Sequence, residues 1–300
     1  MTKENITPFK KLRIYQCEDS LPGILTAVSC AYKDRNGHEN NRLQVWAPDS
    51  TPELFAEYVT VKTDPEAAEK VYRAIYDKVG FKALSMVESV AMSHEEDKGE
   101  LIYRFLILGF ANGPKTTDYI QDDHIYRIRR IHKRIGNESH HWIEFIRFQT
   151  YSPEPLTREV LEREGADRVL PELFGNLPQA PKEYLLAKIG AKEKVLSRIM
   201  PHFADRFHGE AFLIFDETHD QLGVYEPGTC WVIYEEITRI CPGLPELFRK
   251  KDPEEKRMEE LWKIFFEATD IPERENAKLQ RNLLPLWHRK YMTEFCSDET

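Results

Sequence analysis

Between Asp123 and Glu138 the sequence DHIYRIRRIHKRIGNE carries Arg127, Arg129, Arg130, Lys133 and Arg134, with His132 among them, and no carboxylate between its two ends. Guanidinium and ammonium groups on one helix face can meet successive phosphates, and each such contact adds to the salt dependence of binding. The plainer reading is a solvated face paired with acidic neighbours, as charge runs usually are. Arg147 poses a different question. It stands inside the apolar, aromatic run FIRF and must find a carboxylate, a phosphate or water. A structural ion pair answers that need as well as a ligand does.

Two further clusters can do chemistry. PHFADRF sets His202, Asp205 and Arg206 on about one helical turn, where Asp205 can orient His202 as an acid–base pair or simply hold Arg206. In IPERENAKLQRNLLP, the side chains of Arg274, Asn276, Gln280 and Arg281 include the types that read phosphates and base edges in bidentate fashion. Asn276 also fits the start of a short helix as its cap.

Much chemistry is excluded. The chain has no Walker A loop, no GxGxxG after a strand, no GxSxG elbow and no kinase set. His124, His132, His140 and His141 lack the HExxH spacing, and the 5 cysteines form no CxxC pair, so neither a metal site nor a cofactor is expected. Scattered cysteines without an export signal are expected to be free thiols. A net charge of −9 argues against coating nucleic acid with the whole surface, while leaving room for a local basic patch.

The elements that must position these residues follow from periodicity and punctuation. Leu12–Glu18 is predicted as a strand, followed by a helix capped by Ser20, a loop at residues 36–41 and a second strand over Leu54–Val61. Asp64 and Pro65 open a helix with the stripe Ala68, Val71, Tyr72, Ile75 and Val79. Phe81–Met92 is a weaker amphipathic helix. ELIYRFLILGFANGP is a helix apolar nearly all round, stopped by Gly113 and Pro114. Ile125, Ile128, Ile131 and Ile135 mark the buried face of the basic helix, and the β-branched, aromatic run Trp142–Phe148 is predicted as a strand.

Residues 150–183 are rich in proline and are expected to form an inserted surface segment. Beyond it, YLLAKIG is a strand. KEKVLSRIMPHFADRF is a helix bent at Pro201, and AFLIFDE, QLGVYE and CWVIYEE form an antiparallel meander. Asp252 and Pro253 open a helix whose buried stripe is Met258, Leu261, Trp262 and Phe265, and a shorter helix follows over residues 276–284.

With no βαβ alternation and no internal repeat, the class expected is α+β, a mostly antiparallel mixed sheet with a central helical region and C-terminal helices. The parts are an N-terminal half over 1–149, the insertion over 150–183 and a C-terminal half over 184–300, in one compact domain. No apolar run approaches the roughly 20 residues of a membrane span, and the amino terminus lacks an apolar signal region, so a cytoplasmic location with no membrane partner is expected.

The strings YQCEDSLPGILTAVSCAY, ELIYRFLILGF, ESHHWIEFIRFQ, MPHFADRF, LIFDETH, ELWKIFFEATDIPEREN and LQRNLLP, in that order, resemble an uncharacterised, bacterial-type family described as DNA metabolism and DNA repair proteins. The resemblance implies a partner, since family members accompany a radical-SAM protein assigned to DNA modification or repair, and related domains are fused to uracil-DNA-glycosylase-like domains. Neither a GQDPY-like nor an HPS-like loop is present, so a fused glycosylase domain is not expected in this chain.

Glu138, His141, Arg147, His202, Asp205, Arg206, Asp216, Arg274, Asn276 and Gln280 match the family's polar motif positions. Of these, Glu138, His141, His202, Asp205 and Asp216 are the catalytic candidates. Arg127, Arg129, Arg130, Lys133, Arg134, Arg147, Arg206, Arg274, Asn276, Gln280 and Arg281 are the candidates for nucleic-acid contact. Two departures from the pattern stand out: a longer proline-rich segment, and WHRKYMTE in place of a tyrosine–tryptophan pair.

Three functions fit these residues. The first is an accessory that binds DNA and works with the radical-SAM partner. The second is a glycosylase-like or nuclease-like hydrolase, and the third is a scaffold that binds the partner enzyme. Whether the chain is itself an enzyme is open at this level.

Overall fold

The computed structural model describes residues 11–34, 36–47, 52–151, 183–249 and 253–295. The chain is α+β and divides into two compact units, Met1–Gly136 and Asn137–Thr300. The proline-rich stretch, apart from Thr150, Tyr151 and Glu183, lies outside the described residues, as does the cap expected at Asp252.

In the first unit, β1 (Arg13–Cys17) is the middle strand of a sheet ordered β2-β1-β3, with β2 (Asn41–Val45) and β3 (Glu57–Thr60) both parallel to it. The crossover between β1 and β2 is α1 (Leu21–Lys33), where the Ser20 hydroxyl accepts the Gly23 N–H at 3.1 Å. This is a βαβ unit, which the sequence reading did not anticipate because β2 begins in the Asn-rich stretch expected to be loop. The polar residues there are used rather than solvated. Buried Asn41 donates to the Ala31 carbonyl at 3.1 Å, and tertiary pairing overrides a weak strand propensity.

Three helices complete the core of this unit. Asp64 caps α2 (Pro65–Lys78) by accepting from Glu66 N at 3.0 Å and Ala67 N at 3.2 Å. Next come α3 (Phe81–Met92) and α4 (Lys98–Asn112), whose Leu101, Ile102, Tyr103, Phe105 and Leu106 are buried. Arg104, the one charge in that apolar run, donates to the His38 carbonyl at 2.7 Å and the Asn41 carbonyl at 2.8 Å, tying α4 to the approach of β2. Gly113 ends α4 at a φ of 68°, a backbone conformation that a Cβ disfavours.

Helix α5 (Asp123–Phe145) buries Ile125, Ile128, Ile131 and Ile135 as predicted, but it does not stop there. Glu138, Ser139 and Trp142 continue the same buried stripe at spacings of three and four, so the helical period wins over the β-favouring composition. The strand expected over Trp142–Phe148 is therefore corrected to β4 (Phe148–Tyr151). The division between the two units falls within α5.

The second unit is built on a five-stranded sheet ordered β4-β5-β6-β7-β8, comprising β4, β5 (Tyr184–Ile189), β6 (Ala211–Asp216), β7 (Gln221–Tyr225) and β8 (Val232–Tyr234). The pair β5/β6 is parallel, bridged by α6 (Leu196–Arg206) with Pro201 inside it, and the other three pairs are antiparallel. Every residue of β6 and β7 is buried, as a strand covered on both faces requires. Leu186, Leu213, Phe215 and Leu222 pack with Ile237, Cys241, Leu244 and Phe248 of the short helices α7 (Ile237–Ile240) and α8 (Leu244–Leu247) and the turn after them. A second aromatic cluster joins Phe148, Phe203, Phe207 and Phe212, with ring centroids 5.1 to 6.4 Å apart.

Helix α9 (Pro253–Thr269) reverses expectation. Met258, Leu261 and Phe265, predicted as its buried stripe with Trp262, are 59%, 52% and 57% exposed, and the half-buried row is Glu255, Glu259 and Lys263. Periodicity located the apolar face correctly but could not say that polar groups would anchor the helix instead. The short α10 (Ala277–Leu283) follows. Among the described residues, no helix is long and apolar enough to cross a membrane.

Candidate functional site

Two carboxylates hold the turn that leaves β5. Asp216, fully buried at the end of β6, accepts from Ala191 N at 3.2 Å and Thr218 N at 3.1 Å, and its other oxygen receives the His219 Nδ1–H at 2.7 Å. Glu138, buried on α5, accepts the Lys192 N–H at 2.6 Å. Burial raises the Glu138 carboxyl above its usual range against the pull of that hydrogen bond, and neighbouring Glu193 pushes it further. Gly190 gives Tyr291 its place in this turn, because a Cβ there would lie 1.8 Å from the Tyr291 hydroxyl oxygen and displace the ring. Tyr291 thus packs on bare backbone.

The Tyr291 hydroxyl donates to Glu217, which also takes Lys188 Nζ at 2.7 Å and Lys290 Nζ at 3.3 Å. Burial alone would raise the Glu217 carboxyl, but hydrogen bonds from Lys188 and Tyr291 and the charge of Lys188 hold it below its usual range. Burial and the bond to Glu217 push the Tyr291 phenol up. This cluster walls one side of a hollow of about 300 Å³. Arg147 and Phe148 lie at the start of β4, Phe248 follows α8, and α9 contributes Glu255, Glu259 and Lys263. The lining thus sets Arg147, Lys188, Lys263 and Lys290 against Glu217, Glu255 and Glu259, a slight excess of positive charge on an anionic chain. Arg147 is held by Glu294 at 2.9 Å, the ion pair its sequence context allowed, and still lines the open space.

Behind Tyr291 stands an aromatic group that sequence reasoning missed. Trp142 is fully buried, with its ring 5.3 Å from Tyr291 and 4.5 Å from His288, and His141 lies 5.5 Å from His288. Lys192 Nζ sits 4.8 Å over the Trp287 ring. His288 is buried, neither ring nitrogen has a hydrogen-bond partner among the described residues, and burial, then His141 and Lys192, lower its pKa to about 4. The only signal for it was the aromatic density of LWHRKY, which has no motif.

Of the predicted residues, Glu138, His141, Asp216 and Arg147 therefore gather around Tyr291 and the β5 turn. The others do not join them. His202, Asp205 and Arg206 are exposed on α6. His202 meets the Phe203 ring at 5.1 Å, Arg206 lies over the Phe207 ring at 5.6 Å, and no hydrogen bond joins His202 to Asp205. A hydrolytic set of His202, Asp205 and Asp216 is not assembled, because both oxygens of Asp216 are spent on the turn and His219, toward the other end of the βαβ unit. Asn276 caps α10 by accepting Leu279 N at 3.0 Å, and Arg274, Gln280 and Arg281 are exposed outside the hollow.

In the first unit the basic stripe meets carboxylates at Arg127 and Arg134. Arg127 makes a bidentate pair with Asp97 at 2.7 and 2.9 Å, Arg134 pairs with Glu95 at 2.9 Å, and Arg129 donates to the Thr117 carbonyl at 3.1 Å. Arg130 lies 5.8 Å from the Tyr126 ring, and Lys133 is exposed. The bond from Arg127 holds the Asp97 carboxyl below its usual range. Arg127 and Arg134 are thus ion-paired with carboxylates distant in sequence that folding brings alongside, as the plainer reading of this charge run has it, while Arg130 and Lys133 are exposed. Among the described residues, no group of three or more potential ligands could hold a metal ion.

A family described as a domain of unknown function, DUF4130, matches residues 96–294. The chain belongs to the DUF4130 family. Neither a curated protein nor a solved structure matches the chain. The DUF4130 stretch contains every residue that lines the hollow and the whole Trp142–His288–Tyr291 group, whereas β1 to β3 and α1 to α3 precede it.

Proposed function

We propose that this DUF4130 protein handles DNA, taking a strand end or a single unpaired nucleotide into the hollow of its second unit. The observation that carries the reading is the meeting of Arg147, Lys188 and Lys290 with the rings of Phe148, Phe248 and Tyr291 around one space. Cations supply charge-assisted bonds to phosphate, aromatic faces accept any base, and carboxylates such as Glu255 and Glu259 can take base amino hydrogens. The volume, about 300 Å³, is at the small end of ligand pockets and suits one nucleotide rather than a duplex.

The resemblance to DNA metabolism and repair proteins supports the same reading and adds a radical-SAM protein in the cytoplasm as the partner that acts on the bound strand. Binding of a short labelled single-stranded oligonucleotide tests it, with a blunt duplex and a free nucleoside monophosphate as competitors. The single strand is expected to bind at low ionic strength and to outcompete the duplex. Lys290→Ala and Arg147→Ala are each expected to weaken it about tenfold, the scale of one charge-assisted contact. No binding at low salt, or binding indifferent to both substitutions, overturns the proposal.

A further inference from the structure

Helix α9 turns its polar side inward. Its half-buried residues are Glu255, Glu259 and Lys263, one row at a spacing of four. The helix is pinned by polar and edge contacts: Thr150 N to Glu255 at 3.3 Å, Trp262 Nε1 to Glu294 at 3.3 Å, and the Phe266 ring 5.9 Å from Phe295. On the other side Met258, Leu261, Ile264 and Phe265 are 59%, 52%, 62% and 57% exposed. Exposed large apolar residues scattered singly are ordinary, but a continuous stripe on one helix is the mark of an interaction surface.

The spacing states what fits. Met258, Leu261, Phe265 and Ala268 follow steps of three, four and three, the seam on which a second helix packs its knobs, while Ile264 and Trp262 flank that seam. Charge states which helix. Leaving out the inward row, Pro253 to Glu275 carries Glu254, Glu260, Glu267, Asp270, Glu273 and Glu275 against Lys256, Arg257 and Arg274, on a protein of net charge −9. We infer that the outer face of α9 docks an amphipathic helix of a partner protein, with an apolar stripe bordered by lysines and arginines. Apolar contact supplies the affinity, and the acidic border selects the sign of the partner's flanks. The inference does not rest on the hollow or on the charged residues that line it.

The probes are two helical peptides with the same leucine seam, one flanked by lysine and one by glutamate. Binding to the full chain is read by fluorescence anisotropy, and self-association by sedimentation. The lysine peptide is expected to bind at least about tenfold more tightly than the glutamate peptide. The double substitution Leu261→Asp with Phe265→Asp should abolish that binding. Both side chains are more than half exposed, so circular dichroism should be unchanged. Equal binding of the two peptides, no binding, or binding that survives the double substitution overturns the inference. So does a dimer in sedimentation that the double substitution dissociates, which would assign the face to a second copy of this chain. The oligonucleotide assay is unaffected by this outcome, so the two proposals fail separately.

Discussion

The arginines of α5 and the cations of the hollow look equivalent as charges and differ in what surrounds them. Arg127 and Arg134 lie close together in sequence, on a surface helix, and are answered by Asp97 and Glu95 in exposed pairs whose side chains are 25% to 50% accessible. Arg147, Lys188 and Lys290 are far apart in sequence, yet converge on a concave space where Glu217 and a nearly buried Glu294 hold them. A concave setting focuses the field that an exposed stripe loses to solvent and counterions. If the hollow is where an anion is gripped, as proposed, density of charge along a sequence is a poor guide to such a site, and the partners that folding supplies decide it.

Substitutions can break that contrast. The largest effect is expected at Asp216, which supports the turn beside the hollow from a fully buried position. Asp216→Ala strands two backbone N–H groups and His219, and should cost about 4 kcal/mol in denaturant unfolding. A loss below about 1 kcal/mol would show that the turn does not depend on this carboxylate.

Next is pH. His288 has a folded pKa near 4, below its unfolded value, so the unfolded chain takes up the proton first. The contribution of this group to stability is whole above the unfolded pKa near 6.5 and is lost as pH falls toward about 4, at most about 3 kcal/mol. His288→Phe should flatten that part of the unfolding profile, and a profile of unchanged slope would contradict the burial of a neutral ring.

The smallest effect belongs to the α5 stripe. Arg127→Ala together with Arg134→Ala should change stability by no more than about 1 kcal/mol, because exposed ion pairs contribute little. Oligonucleotide affinity should move less than about twofold, against the tenfold expected at Arg147. A larger loss of affinity would return the stripe to the binding surface and dissolve the contrast.

The local rules were readable. Ser20 and Asp64 cap the helices they precede, the isoleucines of α5 face inward, and the meander β6-β7-β8 stands where its turns are. What could not be read is what non-local partners decide. β2 gains its strand character from pairing with β1, and the end of α5 stays helical because Trp142 falls on the stripe begun at Ile125. α9 shows its apolar side because Glu255 and Trp262 find polar anchors. The site divides the same way. Glu138, His141, Arg147 and Asp216 were named, while Lys188, Glu217, His288, Lys290 and Tyr291 come from a strand, a turn and a 3-10 segment that share no local pattern.

Glu294 has two oxygens and uses them in two directions: one holds the Arg147 guanidinium at 2.9 Å and the other the Trp262 indole at 3.3 Å. That single carboxylate is a hinge pin common to the hollow and to the helix beside it. A guest that draws Arg147 off its oxygen changes what the indole is fastened to, and a visitor on α9 that shifts the indole alters the grip on Arg147. Any coupling between the two occupants must be reciprocal, each changing the other's affinity by the same factor, and one shared side chain is enough to carry it without a large movement of the chain.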